Sequence, residues 1–175
     1  MVMRVRPEEL NYLCLCAQRA KLGIVEIGCL DGKTACHLAR NARVPVYSID
    51  PIIPDSMDPE LMGSEIAILK NTEGLSNFFF IKDYSFNVVL SWDKEFDFIL
   101  FDGDHQYEAV KKDFKDWFPL LSSGGCLAFH DSGAGARGGP ERWPGPSRLA
   151  DELIADGNDV IYVETIESLT VFRKK

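Results

Sequence analysis

Apolar residues along this chain follow two alternating rhythms: short unbroken runs of Val, Ile, Leu and Phe, and longer stretches in which apolar positions recur every three or four residues. The runs at 24–28, 46–50, 78–82, 96–101 and 126–130 read as buried strands. The periodic stretches at 7–20, 31–42, 61–72, 107–118 and 148–155, with a short one at 86–90, read as helices. Local chemistry marks several boundaries. Pro7 suits a first helical turn, Asp31 is placed to cap the second helix, and Pro119 with the Gly124-Gly125 turn stops the helix whose inner face carries Val110, Phe114, Trp117 and Phe118. Two last runs, 160–164 and 169–173, are close enough in sequence to pair as an antiparallel hairpin. Strand–helix alternation of this kind predicts an α/β fold around a mainly parallel sheet.

Two stretches break the pattern. A loop punctuated by Pro51, Pro54 and Pro59 follows the second strand, and between residues 132 and 147 glycine and proline replace periodicity altogether. The second is too long to be a mere connector, and it carries Arg137, Arg142 and Trp143, side chains suited to substrate recognition; it is expected to be a mobile lid over the acceptor. Residues 1–22 are expected to form a helical cover, and the whole of 1–175 one domain.

Composition narrows the function. Hydrophobic residues make up 46% and charged residues 26%, which fits a globular fold, and the formal net charge of -8 repels a phosphate backbone, so nucleic acid is not the expected partner. The five cysteines are odd in number and sit mostly in apolar stretches, as expected in a reducing, cytoplasmic setting. No apolar run resembles a signal peptide or approaches membrane-spanning length, so no membrane partner is expected.

The chemistry gathers at strand ends. Glu26-Ile27-Gly28-Cys29-Leu30-Asp31-Gly32-Lys33-Thr34 places an acid and two glycines around a strand-to-helix turn, where a ligand can approach free backbone N–H groups. It lacks the G-x-G-x-x-G spacing of a pyrophosphate loop. Asp50 ends the second strand, where a carboxylate can accept from both ribose hydroxyls of a nucleoside, and Asp83-Tyr84 follows the third, with an acid for an amino group and a ring to stack on adenine. With these three elements the chain resembles class I S-adenosylmethionine-dependent methyltransferases over almost its whole length. The resemblance implies a Rossmann-like, doubly wound, seven-stranded sheet in which the hairpin supplies an antiparallel strand. It also implies cofactor contacts at Glu26, Gly28, Cys29, Leu30, Gly32, Thr34, Asp50, Pro51, Asp83, Tyr84 and Asp102.

The stretch Phe101-Asp102-Gly103-Asp104-His105-Gln106-Tyr107 brings a buried strand out into two acids and a histidine, and His130-Asp131-Ser132 repeats the arrangement one strand over. Ionisable groups this dense at a sheet edge need a metal, substrate or cofactor to meet, and oxygen donors suit Mg²⁺, Mn²⁺ or Ca²⁺. This tract is similar to that of small O-methyltransferases acting on sugars, natural products and catechols, and implies a divalent ion on Asp102, Asp131 and Ser132. His130 is either a further ligand or the partner that orients Asp131. His105 is the preferred general base, its ordinary pKa lying near neutrality, with Asp104 as the second choice. The partner implied is a small-molecule acceptor bearing a hydroxyl, with room left for a homodimer. The rival readings are an NAD-dependent oxidoreductase on a related fold, a non-catalytic module that binds S-adenosylmethionine, and a nucleic-acid methyltransferase. The last is opposed by charge and by the lack of an Asn/Asp-Pro-Pro-aromatic motif.

Overall fold

The computed structural model describes residues 5–133 and 143–175. Along the chain run α1 (Pro7–Arg19), β1 (Ile24–Ile27), α2 (Lys33–Asn41), β2 (Val46–Ile49), α3 (Glu65–Asn71), β3 (Phe78–Ile81), α4 (Ser85–Val88), β4 (Phe96–Phe101), α5 (Tyr107–Trp117), β5 (Leu121–Phe129), α6 (Pro144–Asp156), β6 (Val160–Ile166) and β7 (Leu169–Lys174). The strands form one seven-stranded sheet in the order β3-β2-β1-β4-β5-β7-β6. The first five are parallel, and β7 runs antiparallel between β5 and β6, as the hairpin predicted. No helix of the described residues is long and apolar enough to cross a membrane.

Alternation along the central strands explains the layers. Ile24, Val46, Phe98 and Leu100 face one side and pack with Leu13, Ala17, Leu38 and Ala39 of α1 and α2. Val25, Ile27, Ile99 and Phe101 face the other, against Val110 and Trp117 of α5 and Leu149 and Ala150 of α6. A strand buried on both faces has no polar alternation to show, which is why these segments read as continuous apolar runs.

Several boundaries differ from the sequence reading. The helix expected from residue 61 begins at Glu65, because Ser64 supplies its cap and Met62 bridges back to Pro54. Asp31 is not the cap residue of α2, although its Oδ1 accepts from Lys33 N at 3.2 Å. Gly124 and Gly125 fall within β5, which starts earlier than expected, beside a register shift against Phe96 and Phe98 of β4. The loop expected over 132–147 ends sooner, because Pro144 already opens α6, and Ser132 at its start is fully buried.

The parallel ladder continues one step past the strands. Gly28 N donates to Ile49 O (2.9 Å), Asp50 N to Ile81 O (3.1 Å), Asp102 N to Ile27 O (2.8 Å) and His130 N to Phe101 O (3.0 Å). Four chain segments are thereby brought level at one edge of the sheet before they diverge. That edge is where open α/β sheets bind ligands.

Candidate active site

The turn after β1 is built around a close crossing. Gly28 has φ +89°, and a Cβ there would lie 2.0 Å from Asp102 O, so only glycine lets the β1 and β4 loops pass. The Asp50 carboxylate then holds the turn: Oδ2 accepts from Cys29 N (2.8 Å) and Leu30 N (2.9 Å), and Oδ1 from Ile52 N (2.7 Å). Three of the roughly four acceptor positions of a carboxylate are thus in use. Beneath the turn Glu26 is 1% exposed and accepts a hydrogen bond from Ser48 Oγ. Burial, reinforced by the nearby charges of Asp102 and Asp50, pushes its carboxyl up to about 8 despite the Ser48 bond.

Above this floor opens a cavity of about 890 Å³, whose lining includes Glu26, Gly28, Asp50, Tyr84, Asp102 and Asp131. Tyr84 stacks on Phe86 at 4.9 Å between ring centroids, and both rings reach the cavity wall. Beside Asp102 and Asp131 two imidazoles alternate with carboxylates. His105 Nδ1 lies 2.8 Å from Asp55 Oδ2 and its Nε2 3.1 Å from Asp131 Oδ2. The ring stacks on Trp143, with centroids 3.9 Å apart. His130 Nε2 lies 3.2 Å from Glu9 Oε2, while Nδ1 is 3.0 Å from Asp102 Oδ1 and 3.3 Å from Asp131 Oδ2. Those last two approaches are misaligned, so Nδ1 is a buried nitrogen without a hydrogen-bond partner among the described residues.

Charge follows from these contacts. Burial disfavours a charge on His105, but the hydrogen bonds to Asp131 and Asp55 outweigh it and raise its pKa. Burial is likewise outweighed at His130 by the Asp102 carboxylate, so its pKa stands well above the usual imidazole value. On the acid side, burial opposes ionisation of Asp131 and Glu9, yet the neighbouring His105 and His130 hold Asp131 far below the usual range, and His130 with Ser168 holds Glu9 down at about 2.

A family model described as a methyltransferase domain matches residues 25–132, more than half of the chain and the part that carries this edge of the sheet. The chain belongs to the methyltransferase domain family. Among curated proteins it is similar to an uncharacterised protein of Acanthamoeba polyphaga mimivirus, 26% identical over 148 residues, covering 79% of this chain and 63% of that one. The chain therefore spans less than two-thirds of that relative's length. Solved structures share the fold. The O-methyltransferase from Bacillus cereus in complex with SAH superposes with TM-score 0.70 at 20% identity, covering 100% of this chain and 84% of that one. The O-methyltransferase NovP superposes with TM-score 0.74 at 16% identity, covering 96% and 80%.

Within this methyltransferase domain, Asp102, His105, His130 and Asp131 are brought together as the sequence implied. Glu26, Gly28, Cys29, Leu30, Thr34, Asp50, Pro51 and Tyr84 line the same cavity. Other expected residues are placed differently. Asp83 accepts from Tyr84 N (2.7 Å) and Asn87 Nδ2 (2.9 Å) just before α4, and neither Asp83 nor Gly32 lines the cavity. Ser132 Oγ sits 2.8 Å from Phe129 O and 2.7 Å from Thr170 Oγ1, committed to the β5–β7 pairing and not offered to a metal. Asp104 Oδ1 accepts from Gln106 N and Ser56 Oγ, each at 2.7 Å, at the entrance to α5. Both nitrogens of His105 face carboxylates, Nδ1 that of Asp55 and Nε2 that of Asp131. Trp143 reaches the cavity but spends its stacking on His105; Arg137 and Arg142 lie outside the described residues.

Two acids escaped the sequence reading. Asp55 sits in the proline-punctuated loop, where it reads as a turn residue. Glu9 is 0% exposed on α1 and had a legible signal, because it lies on the same helical stripe as the buried Leu13, Cys16 and Ala17. A carboxylate on an apolar stripe needs a buried partner.

Proposed function

We propose that this domain transfers a methyl group from S-adenosylmethionine to a hydroxyl of a small molecule held at the Asp102–Asp131 end of the cavity, with a divalent cation assisting. The observation that carries the reading is the continuous cavity of about 890 Å³ joining the glycine turn to the imidazole–carboxylate cluster. It is large enough for a nucleoside cofactor with a small acceptor beside it. The remaining acceptor position on Asp50 suits one ribose hydroxyl, and Tyr84 with Phe86 suits an adenine ring. That the Bacillus cereus O-methyltransferase was solved with SAH supports the same choice of cofactor.

One oxygen each from Asp102 and Asp131 and one nitrogen of His105 lie within 4.8 Å of one another, a donor set that fits a divalent ion. Bound there, such an ion would orient the acceptor hydroxyl and make it more acidic. The residues do the rest. The acceptor oxygen forms a bond to the methyl carbon as the carbon–sulfur bond breaks, and positioning in line supplies much of the rate. Asp104 is the group we assign to take the hydroxyl proton: it lines the cavity and its Oδ1 is fixed by Gln106 N, whereas both nitrogens of His105 are already engaged, Nδ1 with Asp55 and Nε2 toward Asp131 and the ion site. Asp104→Asn should lower kcat by about a hundredfold or more while leaving the affinity for S-adenosylhomocysteine within about twofold. An unchanged kcat removes Asp104 from that role.

A net charge of -8 argues against nucleic acid as the acceptor. Five cysteines without a disulfide fit a reducing, cytoplasmic compartment.

A further inference from the structure

We propose that the cation site is completed by two imidazole nitrogens, His105 Nε2 and His130 Nδ1, beside Asp102 and Asp131, and that it therefore selects a first-row transition ion over Mg²⁺ or Ca²⁺. The inference rests on the cation-assisted reading above and deepens it by naming the ligands and the class of ion.

His130 Nδ1 is the observation that points to a ligand. Its side chain is 3% exposed, it has no hydrogen-bond partner among the described residues, and it is aimed between Asp102 Oδ1 at 3.0 Å and Asp131 Oδ2 at 3.3 Å. His105 Nε2 approaches the same Asp131 oxygen at 3.1 Å from the other loop. Donor atoms about 2.1 Å from one ion and at right angles to each other stand about 3.0 Å apart, and these spacings lie near that value.

The far nitrogens complete the argument. His105 Nδ1 is held by Asp55, whose other oxygen accepts from Met57 N (2.8 Å) and Asp58 N (2.9 Å). His130 Nε2 is held by Glu9, whose other oxygen accepts from Ser168 N (2.7 Å) and Ser168 Oγ (2.6 Å). Each imidazole thus has an anchored carboxylate behind it, which fixes the ring and keeps the proton on the rear nitrogen. That leaves the front lone pair for a metal. Oxygen-only sites suit Mg²⁺ and Ca²⁺, whereas imidazole nitrogen favours Fe²⁺, Co²⁺, Ni²⁺ or Zn²⁺. Asp131 itself stands at φ +53°, a backbone conformation costly enough to need a reason.

The test is metal binding by chelator-treated whole protein, followed by calorimetry and by the visible absorption of Co²⁺, with no turnover required. Co²⁺ should bind one to one, at least about a hundredfold more tightly than Mg²⁺. His130→Ala should weaken Co²⁺ at least about tenfold and shift its absorption bands, and Glu9→Gln should weaken it about tenfold with the ligands left in place. A measurement on the unaltered protein guards against variants that fail to fold: Co²⁺ should shift the ring resonances of His105 and His130 and leave those of His37, on α2, unmoved. Equal affinity for Mg²⁺ and Co²⁺, with His130 resonances unmoved, overturns the two-imidazole site and leaves a carboxylate-held cation standing. No binding of any of these ions at millimolar concentration overturns both, and the cluster is then a set of histidine–carboxylate ion pairs.

Discussion

Glu26 has almost no water to share a charge with, and this single fact makes a pH prediction. Its folded pKa, raised from 4.5 to about 8 by burial, means that the native state keeps a proton the unfolded chain releases. Stability should therefore fall as pH rises from about 4.5 toward 8, with a ceiling of about 5 kcal/mol from this residue. Glu26→Gln keeps the shape without the titration, so its melting temperature relative to the parent should climb steadily across that window. A constant difference would mean that Glu26 is ionised in the folded protein. Asp50 makes a different case, a carboxylate that holds a turn through three accepted hydrogen bonds. Asp50→Ala strands the N–H groups of Cys29, Leu30 and Ile52, so it should cost about 2–4 kcal/mol in denaturant melts as well as cofactor affinity. A stable variant that has lost only affinity would make the clamp unimportant. The position of Asp50 was legible in the sequence, since it ends an apolar run. Its partners were not, because they depend on Leu30 adopting φ +53°, which no pattern of residues announces.

At the scale of elements, α6 and the loop before α5 are locked by contact. A Cβ on Gly145 would lie 2.2 Å from His105 O and 2.6 Å from Tyr107 N, both of them backbone atoms that cannot swing aside. Gly145→Ala should therefore push the start of α6 away, lift Trp143 off His105 and cost about 1–3 kcal/mol, read by chemical denaturation. An unchanged midpoint would show that the two elements yield. Trp143→Ala should leave S-adenosylhomocysteine affinity intact but lower kcat/KM for the acceptor about tenfold, through a loosened His105; parent-like kinetics would leave the stacking without a catalytic role. The sequence showed glycine and proline from 132 to 147 and predicted one open loop. It missed that Pro144 and Gly145 open a helix, because proline suits a first helical turn as readily as a loop and the decisive contact is with His105, distant in sequence. The strand–helix alternation and the hairpin, by contrast, were legible because each depends only on local period and spacing.

For the whole molecule, the parallel order β3-β2-β1-β4-β5 is what turns scattered motifs into one site. The turn after β1, Asp50 after β2, Asp102 after β4 and Asp131 after β5 meet only because consecutive strand ends are level. A cofactor that binds across this edge should stabilise the fold as a unit. At a concentration of about 100 times its Kd, S-adenosylhomocysteine should add roughly 2.7 kcal/mol, seen as a single shifted melting transition. The measurement that tests the account most directly is parallel calorimetric titration of the protein with S-adenosylhomocysteine and with NAD⁺. The account predicts one-to-one binding of S-adenosylhomocysteine, weakened at least about tenfold in folded Asp50→Asn, and no heat with NAD⁺. Binding of NAD⁺ in preference, or of neither ligand, would contradict it.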